Sequence, residues 1–268
     1  MFWMFCESGA GTTLDTYIAS RLPGCKLFCL GPRRPLRQAN PADHRKSGGG
    51  GMIAAMTYIL YGDKGSGSAT TELALAIAGA HVTLRDVPLE RNAQREAGYS
   101  SVNAQQKLPT LVTPDGETLT ETAAILITLA ERFPAAGFLP PPASAERARA
   151  LRWLLFIATE IYPVVEMIDY PERFQPEGDA TSDVRREAMR AHLRGIWKRR
   201  WLIVEQAVRG EPWFLATGFS AVDIYAAVVS RWAQTGDWRP AAIPRIEAIV
   251  AALAARPDCG PVWRRHFG

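Results

Sequence analysis

Two short stretches of this chain gather residues able to hold a charged peptide. The first runs from Lys107 to Thr122 and reads K-L-P-T-L-V-T-P-D-G-E-T-L-T-E-T. Pro109 cannot donate a ladder hydrogen bond, so it belongs at a strand's first turn or at a cis bend. Asp115-Gly116 lies between Leu111-Val112 and Thr118-Leu119, a hairpin signal, because glycine takes the positive φ of a tight turn. Thr120 or Glu121 then caps a helix whose apolar positions, Ala124, Ile125, Ile127, Leu129 and Ala130, recur at helical spacing. Backbone groups freed at a cis-proline, beside N–H groups at a helix start, make a site for a peptide bearing a carboxylate. The second stretch, Tyr61 to Ser68 (Y-G-D-K-G-S-G-S), carries three hydroxyls into the start of another helix.

These residues need a scaffold, and the flanking pattern supplies one. Tyr58-Ile59-Leu60-Tyr61 reads as a buried strand, and Thr70 to Ala80 as a helix ended by Gly79. His81 to Val87 alternates like a second strand, and Leu89 to Tyr99 forms a weaker, polar helix. With the hairpin and the Glu121 helix the order is β-α-β-α-β-β-α, the thioredoxin-like arrangement, with right-handed crossovers expected. Phe133-Pro134 and Pro140-Pro141-Pro142 form a stiff connector, and every later segment has helical periodicity. Ser144 caps one helix, Asp183 to Val208 spans a long one, and Pro244 to Ala255 starts on proline at its first turn. Ser220 and Asp223 form a capping box, with Phe219 expected to staple onto Ile224.

The expected domains are therefore 1–55, a disordered extension or the product of an upstream start; 56–134, the thioredoxin-like domain; and 146–268, an all-helical bundle. The leading segment ends in Ser47-Gly48-Gly49-Gly50-Gly51, a flexible linker. It carries seven basic against three acidic residues, so it accounts for the whole net charge of +4 and the remainder is balanced. A nucleic-acid partner therefore has no electrostatic basis in the folded part. With 47% hydrophobic residues the chain can bury a core, yet no apolar run reaches the roughly 18 residues of a membrane span. Three of the four cysteines (Cys6, Cys25, Cys29) lie in the leading segment without an even, spaced framework, and the four histidines are scattered, which argues for a reduced, cytoplasmic compartment and against a metal site.

The Asn103–Ile125 stretch resembles the glutathione-binding half of glutathione S-transferases of the bacterial type. That family's pattern, N-P-x-x-K-[VL]-P-x-L, a D-G hairpin, then [LT]-x-E-[ST]-x-A-I, is met by Asn103, Lys107, Leu108, Pro109, Leu111, Asp115, Gly116, Leu119, Glu121, Thr122, Ala124 and Ile125. Ala104 stands where the family often has proline. The resemblance implies that Glu121 and Thr122 meet the γ-glutamyl end of glutathione. It further implies that Leu108-Pro109 pairs with the cysteinyl amide like an added strand, and that Lys107 meets the terminal carboxylate. Glutathione is then a co-substrate, with no cofactor and no metal, and the protein is expected to be a homodimer.

Catalysis by such a protein requires little chemistry. A thiol with a pKa near 8.5 must be held largely as thiolate. Each unit of lowering needs about 1.4 kcal/mol. One hydroxyl hydrogen bond and a helix N-terminus, together about 2–3 kcal/mol, supply one to two units. Ser66, from Y-G-x-x-x-S, is the favoured donor. Ser68 and Tyr61 are the alternatives, and a plain flexible loop is the bland one. With no Cys in 62–70 the chain cannot run dithiol or monothiol exchange. The electrophile pocket is expected between the domains, lined by Tyr162, Val165, Met167 and Tyr170, while Trp153 and Phe156 read as core. The expected activity is glutathione transfer to a small hydrophobic electrophile. Alternatives are a non-catalytic glutathione-transferase-like binding or assembly module, a glutathione-dependent peroxidase, and an isomerase, the last weakened by the missing S-S-C-[ST] loop.

Overall fold

The computed structural model describes residues 57–175, 182–233 and 236–268; the extension expected over 1–55 lies outside them. The strands are β1 (Tyr58–Gly62), β2 (Val82–Asp86), β3 (Thr110–Val112) and β4 (Thr118–Leu119), arranged β2-β1-β3-β4. Leu60 pairs with Leu84 in parallel register and with Leu111 in antiparallel register. β1 and β2 are parallel because helix α1 (Ser68–Ile77) intervenes, and a parallel pair needs such a crossover. β3 and β4 are antiparallel across the Asp115-Gly116 turn, where Gly116 sits at φ +88. Asp115 is gripped by both guanidinium nitrogens of Arg132, at 2.9 and 3.0 Å. That contact holds its carboxyl far below the usual range.

The segment after β2 departs from expectation. Leu89 to Tyr99 is not one helix but two 3-10 turns, Leu89–Arg91 and Ala93–Arg95, followed by a single-turn helix α2 (Ala97–Ser100). Asn92 between the turns has φ 56, a left-handed conformation that Asn tolerates and a helix cannot contain. Helix α3 (Thr122–Arg132) completes the sheet half, which is thioredoxin-like.

The helical half contains α4 (Ala145–Phe156), α5 (Tyr162–Asp169), α6 (Ser182–Ala207), α7 (Ala221–Val229), α8 (Arg239–Ala242), α9 (Pro244–Ala255) and α10 (Gly260–Phe267). A π-helical stretch, Ile157–Ile161, joins α4 to α5 just ahead of Pro163. The sequence reading ended at α9 and missed α10. Among the described residues, no helix is long and apolar enough to cross a membrane, and no His/Cys/Asp/Glu cluster of three or more could hold a metal ion.

Helix α7 is buried along its whole length and packs against α1, α4, α3 and α9, so it joins the two halves. Burial leaves its N-terminal N–H groups no water, and internal acceptors replace it. Phe138 O, in the proline-rich connector, accepts Ala221 N at 2.8 Å. The capping box is complete: Asp223 Oδ2 accepts Ser220 N at 2.7 Å, and Oδ1 accepts Phe214 N at 2.6 Å. Phe219 stacks on Trp213 and Phe138, with ring centroids 5.2 and 6.4 Å away. Helix α9 is capped from a distance, because the buried Glu205 on α6 accepts Arg245 N at 2.9 Å and Ile246 N at 3.0 Å.

Burial pushes the Asp223 carboxyl up to about 7, opposed by the donors of Phe214 and Ser220. Its folded value thus lies above an unfolded one near 4, so the native state binds the proton more tightly. The stability owed to this group is present below about pH 4 and declines as pH rises toward 7. Asp223→Asn turns an amide N–H toward the Ser220 N–H and should cost about 2–3 kcal/mol near pH 5 in urea unfolding. The wild type's margin over this variant should narrow as pH is raised to about 8.

Candidate active site

The loop from Gly62 to Gly67 is tied into a knot around Asp63. Asp63 N donates to Ser68 Oγ at 3.1 Å and Ser66 Oγ at 3.3 Å, and Asp63 O accepts from those hydroxyls at 3.2 and 2.9 Å. Asp63 Oδ2 accepts Leu89 N at 2.8 Å, which ties the loop to the turn after β2. The two serine oxygens are 2.8 Å apart. Ser68 is buried, and its Oγ would sit 2.3 Å from a Cβ on Gly62, so that position tolerates only glycine.

The three candidate hydroxyls part company here. Ser66 lines a cleft of about 490 Å³, whereas Ser68 and Tyr61 do not. Tyr61 packs instead against a small cluster of Val87, Tyr99 and Leu108, its ring 5.7 Å from that of Tyr99.

Leu108 also lines the cleft, and the Leu108-Pro109 bond is cis. The peptide before it is fixed from behind. Lys107 O accepts from Tyr99 Oη at 2.6 Å and Asn103 Nδ2 at 2.9 Å, and both donors also reach Thr110 Oγ1. Asn103 therefore positions the motif's backbone. Leu108 O accepts a long bond, 3.4 Å, from Tyr162 Oη on α5. Lys107 Nζ reaches the cleft rim paired to Glu166 Oε2 at 2.8 Å, and Arg173 holds the other oxygen of Glu166 at 3.1 Å.

Glu121, the N-cap of α3, has φ 61 and ψ 105, a conformation that costs a non-glycine residue about 1–3 kcal/mol. Its side chain is exposed, while Thr122 is buried. Pro109, Glu121 and Thr122 are not themselves cleft-lining residues. Tyr162 connects them to it, since its hydroxyl touches Leu108 O and feels the charge of Glu121. Burial first, then Glu121, Glu166, Asp169 and Tyr170, drives the Tyr162 hydroxyl well above its ordinary value, so Tyr162 remains a proton donor.

Beyond Ser66 the cleft is lined by Tyr162, Val165 and Tyr170 as expected; Met167 is not among its walls. Trp153 is buried between Phe156 and Phe214, a core residue. Sequence reasoning missed Gln94, Glu166, Asp169, Arg173, Arg231 and Trp232, all on the lining. Trp232 stands edge-on to Tyr162 at 5.0 Å, and Arg173 lies 3.9 Å over the Tyr170 ring. Burial raises the Asp169 carboxyl, with Arg190 and Arg194 opposing. Two carboxylates three residues apart (Glu166, Asp169) on the face that carries Tyr162 and Val165 are the one local signal that could have revealed these residues.

Known proteins are similar to this chain in sequence and fold. A family model described as the glutathione S-transferase N-terminal domain matches residues 68–132. A GST-like protein of Escherichia coli, YncG, is 28% identical over 209 residues, 77% of this chain and 97% of its own length. The Escherichia coli glutathione S-transferase GstA is 28% identical over 203 residues, 74% of this chain and 94% of its own. A sphingomonad glutathione S-transferase complexed with glutathione superposes with a TM-score of 0.63 and 27% identity, covering 77% of this chain and 97% of that one. A glutathione transferase homolog from Sulfitobacter, at 23% identity, shares the fold with a TM-score of 0.71 over 78% of this chain and 98% of its own. The likeness runs through both halves of these proteins and nearly their whole length, so the chain is similar to glutathione S-transferases throughout and has their fold.

Proposed function

We propose that the protein binds glutathione in this cleft, lowers the pKa of its thiol and directs the thiolate at an electrophilic carbon. The observation that carries the reading is the approach of three elements at Gly67. A Cβ there would lie 2.7 Å from Tyr162 Oη and 3.3 Å from both Leu108 O and Pro109 Cδ. A peptide laid along Leu108 therefore has its cysteinyl position beside the start of α1 and the Ser66 hydroxyl. The similar glutathione S-transferase of Escherichia coli, and the similar sphingomonad glutathione S-transferase complexed with glutathione, agree with it.

In this reading Leu108 pairs with the cysteinyl amide by its own N–H and C=O, in the manner of an added strand. Glu121 takes the γ-glutamyl amine, and Thr122 with the N-terminus of α3 takes its carboxylate. Lys107 takes the glycyl carboxylate. Its exposed pair with Glu166 is worth at most about 1 kcal/mol, so sharing it with a ligand costs little. Ser66 donates to sulfur, and Ser68 holds the loop behind it. Tyr61, packed on Tyr99, has no part.

The second substrate meets aromatic faces, Tyr162, Tyr170 and Trp232, interleaved with Glu166, Asp169, Arg173 and Arg231. These walls favour a flat electrophile bearing a polar group over a purely apolar one. A reduced, cytoplasmic setting and a homodimer accompany the assignment. A non-catalytic binding module is the second reading, favoured by one observation: the Ser66 hydrogen already has an acceptor in Asp63 O.

The two readings separate on the bound thiol. Ultraviolet titration of bound glutathione should give a lowered thiol pKa in the wild type, and Ser66→Ala should raise it by about one unit, with kcat/KM at neutral pH falling about tenfold or more. Retention of glutathione with an unshifted thiol would favour the binding module. Glu121→Gly tests the peptide grip. Removing the Cβ from a positive-φ position should leave thermal stability equal or higher, while glutathione affinity by calorimetry drops about tenfold or more.

A further inference from the structure

Gly65, the residue before Ser66, is held at both of its polar backbone atoms by the helical half of the chain. Its N–H donates to His266 Nδ1 at 3.0 Å, and its carbonyl accepts from Trp232 Nε1 at 2.8 Å. His266 lies at the end of α10, and its imidazole is fully buried. Because Nδ1 accepts, the ring proton sits on Nε2, which donates to Glu72 Oε2 at 2.9 Å. Glu72 is a buried residue of α1, and Arg265, beside His266, pairs with the same oxygen. One imidazole therefore spans α1 and the loop that precedes it. Neither His266 nor Glu72 lines the cleft, so neither can touch a ligand there.

The loop needs such a clamp. Gly65 stands at φ +71, and Gly65-Ser66-Gly67 places a hydroxyl between two residues with no side chain to restrain it. A hydroxyl free to wander would spend its hydrogen-bond energy on its own ordering, whereas a donor already aimed at a developing charge does not.

We propose that His266 is a positioning residue for thiol activation: by accepting the Gly65 N–H while donating to Glu72, it sets the Gly65–Ser66 peptide so that the Ser66 hydroxyl stays on the cleft wall. Trp232 acts on the same peptide from its carbonyl end. The inference rests on the proposed glutathione chemistry and names what makes Ser66 competent.

The test is the pKa of glutathione's own thiol, titrated at saturation through its ultraviolet thiolate band, together with kcat and KM, in wild type, His266→Gln, His266→Asn and Trp232→Phe. Asparagine keeps an acceptor near the place of Nδ1; glutamine keeps a donor near that of Nε2. His266→Gln and Trp232→Phe should each raise the bound thiol pKa by about one unit and lower kcat about tenfold, with KM for glutathione within about twofold. His266→Asn should recover at least half of the shift. If His266→Gln fails to fold by circular dichroism, Trp232→Phe alone decides. Folded His266→Gln and Trp232→Phe proteins with the wild-type thiol pKa would overturn the proposal and leave His266 as a docking contact for α10. A wild type that does not lower the thiol pKa at all would instead remove the transferase reading, and the proposal with it.

Discussion

The space around Gly67 governs this molecule. The start of α1, the Leu108–Pro109 turn and the Tyr162 hydroxyl of α5 converge on one α-carbon, with 2.7 to 3.3 Å left for a side chain that cannot exist. Any larger residue would push α1 from the turn or α5 from both, and the cleft would lose a wall. The sheet half supplies two of these elements and the helical half supplies the third. The close approach therefore makes a site of what would otherwise be two packed layers.

Such an approach must be held by something stiffer than apolar contact, and buried polar groups with complete partners serve that end. Glu72 meets His266 and Arg265, Asp223 closes the start of α7, and Glu205 closes that of α9. Each replaces water at a helix end or within a helix–helix contact, where an unmatched donor would cost about 1–3 kcal/mol. Apolar packing decides that the halves associate. These directional bonds select the one arrangement in which Gly65, Gly67 and Leu108 face the same space.

What could be read from the chain follows from this division. The hairpin at Asp115-Gly116, the turn at Pro109, the box at Ser220 and the helix at Thr122 are each dictated within a few residues, so their sequence pattern reveals them. Leu89 to Tyr99 misled because its polar residues suit a helix, while Asn92 in a left-handed conformation divides it. His266 and Trp232 left no local trace, since their partners are 201 and 167 residues away in sequence. A histidine in a short C-terminal segment has no periodicity to mark it as buried, and α10 went unread for the same reason. Among the three hydroxyls, spacing alone could not choose. That Ser66 lines the cleft and Ser68 does not turns on which oxygen fills the hollow left by Gly62, a tertiary fact.

The serine pair also explains how a hydroxyl already bonded to Asp63 O can serve a ligand. When the Ser66 hydrogen turns toward the cleft, Asp63 O would be left a stranded acceptor, and part-buried acceptors resist that. Ser68 Oγ, 3.2 Å from the same carbonyl, keeps it satisfied. Ser66 Oγ meanwhile goes on accepting from Ser68 N at 3.2 Å and Asp63 N at 3.3 Å. Those two N–H donors polarise the oxygen without claiming its proton. A rotation of the Ser66 hydroxyl would thus exchange one acceptor for another with no group of the loop left unmatched.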